Sequence, residues 1–394
     1  MNILKKMFNI EEIDNSILYN RHIKITFLGF NFSFKKNLKS KNKTQKLKKC
    51  IGIFCGGGIG DYILLRNNIK YLKEVLKEYN IVYFAKNCLL NELAENYDNK
   101  FIDKIISISN IKLSYLNKNF EFDTIINFAP FYNIRKKYKG DINTYKLIKS
   151  IQAKNKIANI IDNTNNACIN HKILKIYTNI IHTPIGIFED MRIKLILENA
   201  FGIKIPFVDK NLKPIWDITK KYILLSPFSR SEERNISCDI WVNIVNYISE
   251  HFANINIVFI GNEYHSENIE LIINKCSNKK NIVNLAGKTD ITLLPSIIKG
   301  SLFLIAPDTG TIHIANATQT KGICISGGSY YCRFQPYEKN ITYIYPEEFE
   351  QMLLKNDKEE LKKFYNNNYT FNVKNISFEK IKNCIEKIKR EVLC

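Results

Sequence analysis

Residues 303–317 read FLIAPDTGTIHIANA, an apolar run that stops at an aspartate and resumes as apolar residues at helical spacing. Asp-Thr-Gly follows a hydrophobic strand in two kinds of protein: aspartic proteases, and proteins whose strand-to-helix turn binds a nucleotide. Such a protease needs two aspartates that share a proton, and the 394 residues contain no second Asp-Thr-Gly or Asp-Ser-Gly. The stretch therefore predicts a buried strand, a turn at Asp308 and a helix.

The turn has the composition of a phosphate-binding site. We expect Asp308 to cap the helix that follows, whose first free amides carry the positive end of the helix dipole. Gly310 would let a ligand approach the backbone, and Thr309 and Thr311 supply hydroxyl groups. Together these features suit a diphosphate. The alternative is a structural helix cap that binds no ligand.

The same strand, loop and helix pattern recurs on both sides of this turn, and it predicts parallel sheets covered by helices. In the second half, the expected strands are residues 222–229, 256–263, 282–287, 301–308 and 322–329, and the expected helices are 239–252, 294–300 and 311–318. In the first half, we expect strands at 50–55, 81–86, 122–128 and 156–161, a glycine-rich turn at 56–61 and a helix at 62–79. Two prolines in residues 204–219 mark the boundary between the halves.

This pattern predicts an α/β protein with two Rossmann-like domains in series. The expected segments are a basic N-terminal arm (1–49), an N-terminal Rossmann-like domain (50–212), a C-terminal Rossmann-like domain (213–345) and a helical tail that packs on the body (346–394). Within the arm, residues 21–36 alternate apolar and polar side chains. This alternation is typical of a hairpin or edge strand, or of a small amphipathic element that faces a membrane.

The net charge of +20 is carried by lysine much more than by arginine. Proteins that read nucleic acid rely more on arginine, whose planar fork fits phosphate and guanine edges, so we expect no nucleic-acid partner. Residues 1–49 hold 12 basic and 3 acidic residues, which gives them a net charge of +9. This arm is expected either to contact an anionic membrane surface or to be a merely soluble charged segment.

The ten cysteines are scattered, without a C-x-x-C pair or a histidine at ligand spacing, which indicates reduced thiols in a cytosolic protein. The N-terminus lacks the apolar region of a signal peptide, and no run reaches the length of a membrane span. We therefore expect a cytoplasmic location, with peripheral contact at the inner face of the membrane as an option for the arm.

The segment Asp308-Thr309-Gly310-x-x-His313-x-Ala315 resembles the signature of family 9 glycosyltransferases, which include the lipopolysaccharide core heptosyltransferases. Three further segments resemble parts of that family in the expected order: GGGIGDYILLR (56–66), SPFSRSEERNISCDIW (226–241) and LAGKTDITLLPSIIKGSLFLIAPDTG (285–310). The resemblance covers roughly residues 50–345. It departs from the family pattern after Arg234, where this chain has no Trp-Pro, and at Asn67, where relatives commonly have proline.

The resemblance implies a GT-B architecture, in which two Rossmann-like domains face each other across a central cleft. The C-terminal domain would bind a nucleotide sugar, usually ADP-heptose, and the N-terminal domain a lipid-linked glycan acceptor. Asp61 would be the catalytic base of an inverting transfer, and Gly58 and Gly60 would let the acceptor come close. The alternative for Asp61 is that it only caps the helix that follows it.

On the donor side, the resemblance implies contacts from the signature and from two loops. The expected residues are Ser229, Arg230 or Arg234, Glu263 or Glu267, Asp308, Thr309, Gly310 and His313. The two arginines compete for the diphosphate and the two glutamates for the ribose. The alternative for His313 is that of a packed core residue on an apolar helix.

No two aspartates stand in a D-x-D arrangement that would hold a metal on a diphosphate, so we expect catalysis without a metal and without a cofactor. Two other interpretations stay open. One is a glycosyltransferase of the same fold that uses a different nucleotide sugar or a protein acceptor. The other is a non-catalytic, basic protein that binds at a membrane surface.

Overall fold

The computed structural model describes residues 11–15, 20–27, 30–37, 46–109, 111–129, 139–162, 174–206, 211–215, 218, 221–337, 339–365 and 369–393. The chain divides into two compact units, Met1–Gln45 and Lys46–Cys394. The first unit contains an antiparallel sheet of three strands: β1 (Glu11–Asn15), β2 (Asn20–Phe27) and β3 (Phe30–Asn37). The pairing of β2 with β3, in which Phe27 faces Phe30, is the hairpin that the alternating pattern of residues 21–36 predicts.

The second unit begins with a six-stranded parallel sheet in the order β6-β5-β4-β7-β8-β9. Its strands are β4 (Leu47–Phe54), β5 (Asn80–Ala85), β6 (Lys104–Ser107), β7 (Phe120–Asn127), β8 (Ala153–Ile161) and β9 (Asn179–Thr183). Its helices are α1 (Ile59–Val75), α2 (Cys88–Tyr97), α3 (Leu113–Asn119), α4 (Lys139–Ser150) and α5 (Glu189–Phe201). The order of the strands reverses beside β4, so the loop after β4 opens at a topological switch point, where open α/β sheets bind ligands.

The central strands of this sheet are apolar because helices cover both of its faces. The rings of Phe54 and Phe84 stack with their centroids 4.2 Å apart, and Ile125 on the neighbouring strand is fully buried with them. Gly52 leaves room for that packing, since a Cβ atom there would overlap the Ile125 side chain. The core thus places the carboxyl ends of β4, β5 and β7 at one edge.

A second six-stranded parallel sheet follows in the order β12-β11-β10-β13-β14-β15. Its strands are β10 (Tyr222–Leu225), β11 (Asn256–Phe259), β12 (Ile282–Asn284), β13 (Ser301–Pro307), β14 (Gly322–Ile325) and β15 (Ile341–Ile344). Its helices are α6 (Cys238–His251), α7 (Ser266–Lys275), α8 (Leu294–Gly300) and α9 (Gly310–Ala317). The order repeats that of the first sheet, and the switch point now lies beside β10.

The tail contains α10 (Glu347–Lys355), α11 (Lys358–Lys362) and α12 (Phe378–Leu393). The apolar stripe of α12 packs on α6: Ile381, Ile385 and Ile388 are buried in the same core as Trp241. An earlier part of the tail reaches the first half of the chain, where the Tyr365 hydroxyl donates to the carbonyl of Ile187 at 2.5 Å. Among the helices within the described residues, none combines the length and the apolar character needed to cross a bilayer.

Candidate active site

The first turns of α1 and α9 lie directly against each other, and two glycines make this approach possible. A Cβ atom at Gly60 would lie 2.8 Å from Nε2 of His313, and one at Gly310 would lie 2.8 Å from Cβ of Ile59. The loop after β4 and the loop after β13 therefore meet where the two sheets face each other. His313 and Ile59 occupy the space that a side chain at these two positions would take, and the expectation that Gly60 and Gly310 let ligands approach stays a prediction.

Asp61 lies in the first turn of α1, half-buried at the carboxyl edge of the first sheet. The backbone N–H of Gly58 donates to its Oδ2 atom at 3.0 Å, so the carboxylate does cap α1. Gly56 lies under the same carboxylate, because a Cβ atom there would come within 2.8 Å of Oδ1. A carboxylate accepts several hydrogen bonds, so the cap leaves chemistry at Asp61 possible. Its role as a base stays a prediction.

Asp308 occupies a different place from the one that the sequence predicts. Helix α9 begins at Gly310 with Thr309 as its N-cap residue, so Asp308 is not the cap. The Asp308 side chain points into the protein, where its Oδ2 atom accepts from Nε2 of Gln335 at 3.3 Å. Burial raises the pKa of this carboxyl to about 6, against the opposing charge of Arg234. Asp308 points inward because it directly follows the last residue of β13 and still lies at the buried edge of the sheet, before the chain turns into α9.

The hydroxyl groups of the turn after β13 lie together at the start of α9. Thr309 Oγ1 lies 2.9 Å from Thr311 Oγ1 and donates to the carbonyl of Pro307 at 3.2 Å. Within the described residues, the Thr309 side chain makes no cap bond to the first-turn amides of α9, although the Thr309 carbonyl accepts from the Ile312 N–H at 3.1 Å. Amides of this kind are the groups that bind phosphate at helix N-termini.

The loop after β10 brings one of the two candidate arginines to this turn. Arg234 belongs to a single 3₁₀ turn (Glu232–Arg234), and its Nη1 atom donates to the Asp308 carbonyl at 2.9 Å. Arg230 is exposed instead. Ser229 is buried within the same loop, where its N–H donates to Oδ1 of Asn235 at 2.7 Å. The geometry therefore favours Arg234 over Arg230 for a ligand at the turn.

The two candidate glutamates lie beyond β11, and both are exposed. Glu263 starts the 3₁₀ turn after that strand and packs on Gly287, which has a left-handed φ of 70°. Glu267 lies in the first turn of α7, farther along the chain from the end of the strand. Glu263 is thus nearer in sequence to the sheet edge, and the assignment of either residue to a ribose stays a prediction.

His313 is buried in the contact between the two halves. Its Nδ1 atom lies 2.7 Å from the hydroxyl of Tyr337, and its ring edge faces Gly60. Burial lowers the pKa of His313 to about 4, with a further contribution from Arg234, so the imidazole is neutral at pH 7. These contacts agree with the packed-residue alternative, and contact with a donor stays a prediction.

The loop between β14 and β15 contributes to the site, although no motif in the sequence predicts this. Gln335 and Tyr337 of this loop contact Asp308 and His313, as described above. Arg333 is buried and donates from Nε to Oε2 of Glu189 at 2.8 Å. The two partners are 144 residues apart, a separation that no local pattern of the sequence could have revealed.

Glu189 is the centre of a buried charge cluster at the start of α5. Its carboxylate accepts from Arg333 and also, through two hydrogen bonds, from Arg192, whose side chain is fully buried. Arg192 in turn donates to the carbonyl of Phe128 at 2.8 Å and to Oδ1 of Asn159. The cluster thereby joins the ends of β7 and β8 in the first sheet to the loop after β14 in the second. Burial lowers the pKa of Arg333 to about 10, so it stays a cation at pH 7.

Replacing Asp308 with asparagine should stabilise the protein above pH 6. The folded-state pKa of about 6 exceeds the ordinary value of 3.8, so ionising this carboxyl costs the folded state free energy as pH rises through that window. At pH 8 the variant should gain about 2 to 3 kcal/mol in the free energy of unfolding, and the gain should vanish below pH 4. Urea denaturation at pH 4 and at pH 8 measures both, and a gain equal at the two pH values would contradict the expectation.

Within the described part of the chain, no group of three or more His, Cys, Asp or Glu side chains is arranged to hold a metal ion. The expectations of metal-free and cofactor-free catalysis stay predictions. The eight cysteines that fall within the described residues are free thiols.

The fold matches solved glycosyltransferase structures along most of the chain. A family 9 glycosyltransferase from Veillonella parvula aligns with a TM-score of 0.66 at 16% identity, covering 89% of this chain and 100% of that one. The E. coli ADP-heptose lipopolysaccharide heptosyltransferase II aligns with a TM-score of 0.63 at 11% identity, covering 88% and 100% respectively. The predicted fold class, a GT-B architecture of two Rossmann-like domains, is confirmed.

Sequence comparison supports the family over part of the chain. The lipopolysaccharide core heptosyltransferase OpsX of Haemophilus influenzae is 28% identical over 135 residues, which are 33% of this chain. The match spans only 38% of the length of that relative. The family model described as glycosyltransferase family 9 (heptosyltransferase) matches residues 196–364, which include the turn after β13 and the loop after β14. Residues 196–364 of this chain are therefore similar in sequence to glycosyltransferase family 9, the heptosyltransferase family.

Proposed function

We propose that the protein is an inverting glycosyltransferase that transfers heptose from ADP-heptose to a lipopolysaccharide core or a related cell-surface glycan. The observation that carries this proposal is the contact of α1 with α9. It brings a carboxylate, Asp61, to the edge where Arg234, Thr309 and a helix N-terminus surround a turn suited to a diphosphate. The names of two similar proteins, a lipopolysaccharide core heptosyltransferase and an ADP-heptose heptosyltransferase, support the choice of donor and acceptor.

In the proposed reaction, the Asp61 carboxylate takes the proton of an acceptor hydroxyl as that oxygen attacks the anomeric carbon of the donor sugar. Attack comes from the face opposite the diphosphate, so the bond from the anomeric carbon to the diphosphate oxygen breaks as the new glycosidic bond forms. ADP leaves with the bonding electrons, and the configuration at the anomeric carbon is inverted.

The leaving diphosphate needs positive charge, which the second sheet supplies at the turn after β13. Arg234 is anchored on the Asp308 carbonyl, and the first-turn amides of α9 with the Thr309 hydroxyl complete the site. The Asp308 side chain points away from this position and contacts Gln335. We therefore propose that Asp308 stabilises the turn and does not bind the diphosphate. Because these groups provide the stabilisation, we propose a transfer that needs no metal.

The remaining contacts that we propose are those with the donor ribose, with the acceptor and with the membrane. Glu263, which follows β11 directly, is the better candidate for the donor ribose. The acceptor would lie against the edge of the first sheet near Gly58, which is exposed. The basic arm, with a net charge of +9 in residues 1–49, would contact the anionic membrane that holds a lipid-linked acceptor, on its cytoplasmic side.

Calorimetric titration in EDTA with ADP, ADP-heptose, UDP-glucose and GDP-mannose tests the proposal, and the two arginines provide a matched pair of variants. We expect selective binding of the adenine compounds, weakened about 10- to 100-fold by Arg234→Gln and unchanged by Arg230→Gln. Transfer of labelled heptose to lipopolysaccharide that lacks its core heptose completes the test.

Other results would change the proposal in defined ways. Selective binding of a uridine or guanosine compound would keep the glycosyltransferase and replace its donor. No nucleotide binding by the folded protein would overturn the transferase proposal and favour a non-catalytic membrane-surface protein. Equal losses in Arg230→Gln and Arg234→Gln would remove the role assigned to the turn.

A further inference from the structure

Tyr330, in the loop after β14, lies within cation–π distance of two guanidinium groups. Its ring centroid is 5.6 Å from Cζ of Arg234 and 5.7 Å from Cζ of Arg333. A cation within about 6 Å of a ring centroid is attracted by the negative face of the ring. Tyr330 therefore contacts both the arginine proposed to bind the diphosphate and the arginine of the buried charge cluster.

The Arg333 side of this contact is fixed. Arg333 is buried, its Nε atom donates to Glu189 at 2.8 Å, and its carbonyl accepts from the Glu189 N–H at 2.8 Å. Its guanidinium also lies 4.6 Å from the ring centroid of Phe334. The tyrosine thus lies against a rigid part of the protein.

The Arg234 side of this contact lies on the loop after β10. Arg234 is half-buried and comes from a single 3₁₀ turn on a loop, and its Nη1 atom bonds to the Asp308 carbonyl at 2.9 Å. A long side chain on such a loop loses much rotamer freedom when it is held in one position. The ring of Tyr330 lies close enough to this guanidinium to limit where it lies.

The backbone of Tyr330 shows that its position is strongly determined. Its φ is 61°, in the left-handed region that is unfavourable for a residue with a bulky side chain. Hydrogen bonds hold the turn: the Arg333 and Phe334 amides both donate to the Tyr330 carbonyl at 3.0 Å. A glycine would adopt this φ without cost, whereas the hydrogen bonds of the turn and the ring contacts of Tyr330 hold a tyrosine there.

We propose that Tyr330 is a positioning residue that holds the Arg234 guanidinium against the turn after β13, and that it thereby sets the affinity for the diphosphate of the donor. Tyr330 acts through Arg234 and does not itself contact the donor. The inference rests on the proposed function, because it presupposes a diphosphate at this turn.

The test compares Tyr330→Leu, which removes the aromatic face, with Tyr330→Phe, which keeps it. Calorimetry should show ADP binding about 3- to 10-fold weaker in Tyr330→Leu, with adenosine binding unchanged because adenosine carries no phosphate for Arg234. Tyr330→Phe should recover most of the loss. Tyr115→Leu, the same change at an exposed site on α3, serves as the control. A second variant without the ring, Tyr330→Gln, should behave as Tyr330→Leu does.

A double-mutant cycle separates positioning from a general structural role. In an Arg234→Gln background, Tyr330→Leu should cause no further loss of ADP affinity, because the residue it positions is gone. The inference alone would be overturned if Tyr330→Leu left ADP binding unchanged, or if it weakened adenosine binding as much as ADP binding. It would also be overturned if Tyr330→Leu weakened ADP binding as much in the Arg234→Gln background as in the wild-type protein. Failure of the wild-type protein to bind ADP would overturn the proposed function and this inference with it.

Discussion

Replacing Asp61 with asparagine should lower the rate of sugar transfer by about 100- to 10,000-fold, the contribution typical of a positioned general base. Asparagine keeps the size of the side chain and the oxygen that accepts from the Gly58 N–H, so the cap of α1 should survive. It cannot take a proton from the acceptor hydroxyl. ADP binding should be unchanged, because the turn proposed for the diphosphate lies on the second sheet. Single-turnover transfer assays and calorimetry measure the two effects separately.

The control for this substitution is Asp123→Asn, in the middle of β7, where the carboxylate pairs with Lys154 at 3.1 Å. That variant should transfer sugar at the wild-type rate. If Asp61→Asn kept activity within a few-fold of the wild type while Asp61→Ala lost stability, Asp61 would be a helix cap only. A parallel loss of ADP binding would instead indicate that the substitution disturbs both loops.

Replacing Glu189 with alanine should lower the free energy of unfolding by about 3 to 5 kcal/mol, the cost typical of removing one partner from a buried ion pair. The substitution would leave the guanidinium groups of Arg192 and Arg333 buried beside each other without their carboxylate. Repulsion between them should also loosen the loop after β14, which contacts Asp308 and His313. Urea denaturation at pH 7 measures the loss of stability.

A surface ion pair provides the control for that loss. Glu359 pairs with Lys362 along α11, and its side chain is 81% exposed. Glu359→Gln should change the free energy of unfolding by less than about 0.5 kcal/mol. A loss of similar size in the two variants would mean that Glu189 is not the buried partner that the structure shows. Glu189→Gln keeps a side chain that forms hydrogen bonds but carries no charge. Its loss in the free energy of unfolding should therefore lie between those of Glu189→Ala and Glu359→Gln.

The architecture could be predicted from the sequence because each central strand is a short apolar run followed by a turn and an amphipathic helix. That local signal is strong for β4 and β13, which are buried on both faces. It is weak for the edge strands β6, β9 and β15, whose sequences KIIS, NIIHT and ITYI are short and half-buried. The prediction did not contain these three strands.

The composition of the site was predictable where chemistry lies in one motif and unpredictable where it depends on contacts between distant segments. The sequence correctly predicted a helix directly after the Asp-Thr-Gly turn, but it assigned the cap to Asp308 instead of Thr309, because spacing alone does not show which way a side chain turns. It could not show that Gly60 and Gly310 face the opposite half of the chain. Arg333 and Tyr330 were missed because arginine and tyrosine on a loop carry no signal until their partners are known.

The contact between Gly60 and His313, together with that between Ile59 and Gly310, has a consequence for ligands designed to occupy both substrate positions. In this arrangement the backbones at the two helix starts are too close for a chemical linker to pass directly between them. A compound that joins a nucleotide to an acceptor analogue would have to route its linker around the side of this contact. Short, rigid linkers aimed straight across should therefore fail, and the length of the shortest linker that succeeds would measure the width of the route.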